Sequence, residues 1–379
     1  MSKTIKIAFI SPGSFPVVND EDQHPYGGAE TQMYLLSKEL SKNKKFDVTL
    51  VIQNNPNNPT QVENLKIVSL PFWTQEKSVF SRMAERAKGI RLNMKFWLNY
   101  NGEVLVQRSA GIFTFVIWVY CKLFSKKFVY MVAHDWDTSN APNPLNKQYW
   151  WPFFRFSLRR ADLIVAQNDF QTQQLKLISQ HVWTMENGVP FDLISYQSLK
   201  RSHLRDVVYI ATRFTDQKQP LSYIKLAQIL PQCKFTLVSF EAGEPELIKI
   251  CKNEFIKTPN LNWISGTSWK AKFKILLGHR IYVSTSIREG FPNTFLEAAA
   301  CKLPVVSLNV DPNSYLSRSG GGLCANGSWE LFVETVKKLL TNPGLIDRLG
   351  KQGQNYAKEY NSLNILAKRF GNKLLTLTN

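Results

Sequence analysis

The sequence predicts an α/β protein built from two doubly wound parallel sheets, and three observations carry that prediction. Short β-rich apolar runs recur along the chain, helix-length stretches separate them, and a polar, irregular segment interrupts the series near its middle. Continuous apolar runs alternating with helical patterns mark parallel strands covered on both faces. A length of 379 residues also exceeds one ordinary core and suits two domains of roughly 150–200 residues each.

In chain order the first set of strands is expected at Ile5–Ile10, Val48–Ile52, Leu65–Leu70, Val104–Gln107, Phe128–Ala133, Leu163–Ala166 and Val182–Met185. The second set is Val207–Ala211, Phe235–Ser239, Leu261–Ile264, Ile281–Ser284 and Val305–Leu308. Between them, the stretch after Asn187-Gly188-Val189-Pro190 reads as a linker. The expected layout is a domain at 1–190, a linker at 191–206, a second domain at 207–358, and a C-terminal helix at 359–379 packing back toward the first domain. Two Rossmann-like domains would face a central cleft, with ligands at the carboxyl ends of the strands.

Composition excludes several classes. Charged residues at 20% and aromatic residues at 12% do not suit a disordered chain. No apolar run reaches the roughly 18 residues of a bilayer span. The first residues lead directly into a strand-like run, so no signal peptide is expected and the chain reads as cytoplasmic. Cys121, Cys233, Cys251, Cys301 and Cys324 are odd in number and show no C-x-x-C spacing, which disfavours a disulfide framework or a zinc site. The net charge is +18, and residues 77–160 hold 14 basic against 4 acidic side chains. Such a region suits an anionic substrate, lipid or nucleic acid, but no nucleic-acid-binding motif accompanies it.

The most informative stretch is Arg288-Glu289-Gly290-Phe291-Pro292-Asn293-Thr294-Phe295-Leu296-Glu297, which reads strand, glycine loop, helix. Asn293 is the expected N-cap, which sets Glu297 about one turn into the helix. A carboxylate there can accept hydrogen bonds from two sugar hydroxyls, while the free N–H groups of the helix start favour phosphate. A plainer reading also fits: Glu297 complements the helix dipole and Glu289 is solvated. Arg213 and Lys218 follow the first strand of the second half, where two cations suit a diphosphate. Gly27-Gly28 precedes a helix expected at Thr31–Leu40, and paired glycines allow close backbone approach to a ligand.

Together these stretches resemble the family-4 glycosyltransferases of the GT-B fold. The resemblance rests on the Gly27-Gly28 loop, the Asn187-Gly188-Val189 turn, the Arg213 and Lys218 pair, and Glu289-x7-Glu297. It also covers the tail from Leu339 through Pro343 to Gly350. It implies a retaining, metal-independent transfer of a hexose-type sugar from a nucleoside-diphosphate sugar to an acceptor hydroxyl. Arg213 and Lys218 would hold the diphosphate, Glu297 the ribose and Glu289 the donor sugar. Donor binding would further involve Gly27, Gly28, Gly266, Gly290, Phe291, Pro292, Asn293 and Thr294, with the base met by backbone around Gly266–Ser268. His134, at a strand end, matches a position the family uses beside the donor sugar. The catalytic set is therefore His134, Glu289, Arg213 and Lys218. No resident cofactor is implied.

Asp135-x-Asp137 raises a metal-binding alternative, but that reading leaves Glu289 and Glu297 without a role, and no metal is expected. Four departures from the family pattern stand out: Thr212, Gln219-Pro220, Thr285 and Lys302, three of them where glycine is common and Thr285 where proline is. A GT-B epimerase, a phosphorylase and a non-catalytic sugar-nucleotide binder share the architecture and remain alternatives.

Residues 79–98 place Phe80, Met83, Ala87, Ile90, Met94, Trp97 and Leu98 on one helical stripe bordered by Arg82, Arg86, Lys88, Arg91 and Lys95. Trp150, Trp151, Phe153 and Phe154 with Arg155, Arg159 and Arg160 would extend it. A basic-flanked apolar stripe suits peripheral contact with an anionic membrane. The expected acceptor is a saccharide or lipid-linked saccharide of envelope polysaccharide or glycolipid assembly on the cytoplasmic face. Packing of both stripes onto the first sheet is the competing expectation.

Overall fold

A computed structural model describes residues 4–71, 91–138, 148–194 and 204–378. The chain packs as two compact units, one of Met1–Asn19, Ala29–Met185 and Ala367–Asn379, the other of Asp20–Gly28 and Glu186–Leu366. The expected linker at 191–206 lies largely outside the described residues.

The first unit holds an eight-stranded sheet. Its strands are β1 (Ile5–Ile10), β2 (Phe46–Gln53), β3 (Gln61–Val62), β4 (Leu65–Leu70), β5 (Val104–Arg108), β6 (Lys127–Met131), β7 (Leu163–Ala166) and β8 (Val182–Thr184). Their order is β3-β4-β2-β1-β5-β6-β7-β8, with every pair parallel except β3 with β4. β5 and β7 are buried at every residue, as two-sided cover by helices requires. That is why alternation is absent from their sequences.

The second unit holds six parallel strands: β9 (Arg205–Ile210), β10 (Phe235–Ser239), β11 (Leu261–Ser265), β12 (His279–Ser284), β13 (Val305–Ser307) and β14 (Gly322–Cys324). Their order, β11-β10-β9-β12-β13-β14, is the doubly wound arrangement whose direction reverses between β9 and β12. All twelve expected strands are present. The sequence missed β3 and β14, of two and three residues; neither belongs to a continuous apolar run, β3 being Gln61-Val62 and β14 Gly322-Leu323-Cys324.

The C-terminal helix expected at 359–379 starts at Leu363. A helix Pro343–Tyr360 stops at Asn361, and a second runs Leu363–Thr378. From Ala367 onward the second helix belongs to the first unit. There Phe370 meets Phe9 with ring centroids 6.1 Å apart, and Arg369 lies over the Trp183 ring.

Candidate active site

The second sheet reverses direction between β9 and β12, so the loops leaving these strands diverge and open a crevice at their carboxyl ends. The loop after β9 carries Arg213 and Lys218, and the loop after β12 carries Glu289. The Lys218 backbone is clamped from both strands. The buried Tyr209 hydroxyl donates to the Lys218 carbonyl at 2.7 Å, and the Ser286 hydroxyl lies 3.0 Å from Tyr209 Oη. The Thr285 hydroxyl shares its proton between the Lys218 and Gln219 carbonyls at 3.0 and 2.9 Å.

That clamp directs Lys218 Nζ onto Glu289 Oε1, to which it donates a charged hydrogen bond. Burial pulls the Lys218 ammonium down, but the Glu289 carboxylate and the Tyr209 hydroxyl outweigh it, leaving Lys218 above its ordinary value. Lys218 therefore stays a cation. Arg213 is exposed and has no ion-pair partner among the described residues, which leaves its guanidinium available to an anion.

The helix after the Glu289 loop spans Asn293–Ala300. Asn293 is not its N-cap. Pro292 holds that position with φ −66° and ψ 117°, and Asn293 is the first helical residue. Freed from capping, the Asn293 side chain donates Nδ2 to the Gly28 carbonyl at 2.9 Å. A side chain on Gly28 would meet that nitrogen at 2.9 Å, so a larger residue there would have to displace the Asn293 amide. The Phe291 ring is buried edge-on against Tyr315, and its carbonyl accepts from Asn187 Nδ2 at 2.8 Å. Phe291 and Pro292 are both buried; their side chains shape the loop while the helix start presents its N–H groups.

Glu297, one turn on, is buried and paired with Lys272 Nζ at 2.6 Å. Lys272 stands on the helix Ala271–Leu277 and also lies over the Tyr26 ring, 5.8 Å from its centroid. Tyr26 packs edge-on against Phe240, and burial, with the Glu297 and Asp20 carboxylates, pushes its phenol far above the ordinary range. The Gly27-Gly28 loop is thus part of this site, because Asp20–Gly28 packs with the second unit. Gly266, at φ +77°, leaves a side chain no room: it would fall 2.6 Å from the Asp22 carbonyl. Glu297 Oε2, Tyr26 Oη and Asn293 Oδ1 are buried without a hydrogen-bond partner. Buried polar groups are ordinarily satisfied, so three orphans in one place point to a polar ligand.

His134 belongs to the first unit, just past β6. Its Nδ1 accepts from the Trp136 N–H at 3.3 Å, capping a short 3-10 turn. The neighbouring carboxylates are committed elsewhere. Asp137 accepts from the Tyr130 hydroxyl and the Ala133 and His134 N–H groups, while Asp135 accepts from Gln171 and Asn168. Burial pushes the Asp137 carboxyl upward against those hydrogen bonds.

Residues 195–356 match the family model of glycosyl transferases group 1. That match spans less than half of the chain and falls within the second unit. The whole chain is similar to sucrose-phosphate synthase from Thermosynechococcus elongatus, with a TM-score of 0.80 and 16% identity over 98% of this chain and 99% of the other. It is likewise similar to Anabaena HepE in complex with UDP and glucose, at a TM-score of 0.74 and 14% identity over 98% and 99% of the two chains. WaaG, a glycosyltransferase of lipopolysaccharide biosynthesis, superposes at a TM-score of 0.66 and 14% identity over 96% and 98%. No curated protein matches by sequence. The fold is GT-B.

Two residues of this site escaped the sequence. Lys272 sits in the first turn of its helix between other lysines, and Tyr26 precedes the glycine pair without any motif of its own. Neither carries a local signal, since each becomes informative only through its distance to Glu297.

Proposed function

We propose that this chain is a group 1 glycosyltransferase, a retaining, metal-independent enzyme that moves a hexose-type sugar from a nucleoside-diphosphate sugar onto an acceptor hydroxyl. The observation that carries the reading is the buried, unpartnered Glu297 Oε2, one turn into the helix Asn293–Ala300. One carboxylate oxygen held by Lys272 leaves the other for ribose hydroxyls, and the helix start suits the adjoining diphosphate.

In this reading Arg213 and Lys218 neutralise charge as the diphosphate leaves through an oxocarbenium-like transition state. Such preorganised contacts are each worth roughly 10²–10³ in rate. Glu289 orients Lys218 and accepts from donor-sugar hydroxyls, and His134 orients the sugar. Gly27, Gly28, Gly266, Gly290, Phe291, Pro292, Asn293 and Thr294 complete the donor set through backbone and close packing. The acceptor is a saccharide or lipid-linked saccharide of envelope polysaccharide or glycolipid assembly, met on the cytoplasmic side. No helix among the described residues is long and apolar enough to cross a membrane.

A panel of nucleotide sugars, UDP-glucose first because HepE is held with UDP and glucose, tests the reading through release of free nucleoside diphosphate. Turnover that survives EDTA is the expected result. Activity lost to EDTA and restored by Mn²⁺ or Mg²⁺ would overturn metal independence, and tight donor binding without turnover would favour the non-catalytic alternative.

A further inference from the structure

The first unit contains an apolar cavity of about 470 Å³ that the donor site does not use. Ile10 closes β1, Pro71 follows β4, and Ile112 and Phe113 open the helix that follows β5. These positions cluster where the order of the first sheet reverses, between β1 and β5, which is where α/β sheets take ligands. Helical residues 91–99 supply the opposite wall with Met94, Trp97 and Leu98.

The helix Ile112–Leu123 is apolar on nearly every face, yet only Thr114, Ile117 and Cys121 are buried. Phe113, Val116 and Leu123 are 42%, 53% and 74% exposed, and Met94 and Leu98 are 55% and 61% exposed. A helix apolar all round normally lies in a core or a lipid phase, and a contiguous exposed apolar patch marks an interaction surface. Helix Trp151–Arg159 continues the face with the exposed Phe153 and Phe156.

Charge selects the partner. Residues 91–99, 112–123 and 151–160 contain no carboxylate. Arg91, Lys95, Arg159 and Arg160 are exposed among them, and Lys122 shares Asp162 with Lys127. An apolar surface on which exposed cations outnumber carboxylates fits an anionic bilayer, and an apolar cavity within it fits one hydrocarbon chain.

We propose that this cavity holds a hydrocarbon chain of a phosphate-bearing membrane lipid, with Arg91, Lys95, Arg159 and Arg160 on the headgroups. The proposal rests on the glycosyltransferase reading for its meaning, because the bound lipid is then the acceptor's anchor. Of the earlier expectations, 72–90 lie outside the described residues. Phe154 and Arg155 are buried, not surface groups; they support the face from beneath.

The test titrates the full chain with cis-parinaric acid and floats it with vesicles of dioleoyl-phosphatidylglycerol or dioleoyl-phosphatidylcholine. Wild type should bind the probe saturably. Val116→Trp, which fills the cavity from an exposed position, should weaken it at least about tenfold by displacing methylenes, whereas Leu123→Ser, outside the cavity, should not. Flotation should favour phosphatidylglycerol, and each charge removed in Arg159→Gln/Arg160→Gln should weaken it about fivefold. Equal probe binding by wild type and Val116→Trp, no probe binding by wild type, or indifference to lipid charge would each overturn the proposal. Donor turnover without lipid is measured in parallel; its absence would defeat the transferase reading and leave the lipid result standing.

Discussion

Lys272 and Glu297 form a buried ion pair whose side chains are 5% and 7% exposed, and only one oxygen of the carboxylate is used. Removing one partner of such a pair strands a charge, whereas replacing both with apolar groups is often neutral. Lys272→Ala should therefore lose about 3–5 kcal/mol of stability, and Lys272→Met/Glu297→Leu should recover most of it. Neither should bind nucleoside diphosphate tightly. Calorimetric titration beside urea denaturation checks both halves; a double variant that regains stability and affinity together would remove Glu297 from the ribose site.

Lys218 is held by Glu289, so the two should differ in how they fail. Lys218→Ala and Arg213→Ala should each lower turnover by about 10²–10³. Glu289→Ala should leave diphosphate affinity nearly intact while slowing transfer, because Lys218 remains a cation. Steady-state rates set against diphosphate affinity separate the cases, and near-normal turnover in both cation variants would sink the diphosphate assignment.

Two departures from the family pattern fall at left-handed backbone positions, Gln219 at φ 48° and Lys302 at φ 62°. Such geometry strains a side-chain-bearing residue by about 1–2 kcal/mol. Net of glycine's greater chain entropy, Lys302→Gly and Gln219→Gly should each raise stability by roughly 0.5–1 kcal/mol. A third departure compensates the first: the Thr285 hydroxyl holds the Lys218 and Gln219 carbonyls. Thr285→Val should cost about fivefold to tenfold in turnover, and Gln219→Gly should restore part of it. A fall in Tm for the glycine variants would count against the strain argument.

His279 is buried between the Ile275 carbonyl, 2.7 Å from Nδ1, and the Thr236 hydroxyl, 2.8 Å from Nε2. Burial lowers it from 6.5 to about 4. Between those values the unfolded chain binds the proton and the native state does not, so stability rises with pH. The contribution is complete above about pH 6.5 and disappears as pH falls toward about 4, a loss of up to about 3 kcal/mol. Urea midpoints across that window should show a flatter profile for His279→Asn than for wild type; parallel profiles would refute the assignment.

The sequence by itself determined the twelve principal strands, the two-sheet architecture and the Glu289-x7-Glu297 motif. Each depends on local pattern: runs buried on both faces, and a strand–loop–helix whose residues are neighbours in the chain. Tertiary structure alone decided that Asp20–Gly28 packs with the second unit, that Lys272 neutralises Glu297, and that Thr285 braces Lys218. It also gave Asn293 to Gly28 instead of to its own helix, since Pro292 already provides the extended geometry of a cap. These partners are separated by 25 to more than 250 positions, so no periodicity or propensity encodes them. They are fixed by the order in which parallel strands stack, which brings remote loops to one end of a sheet.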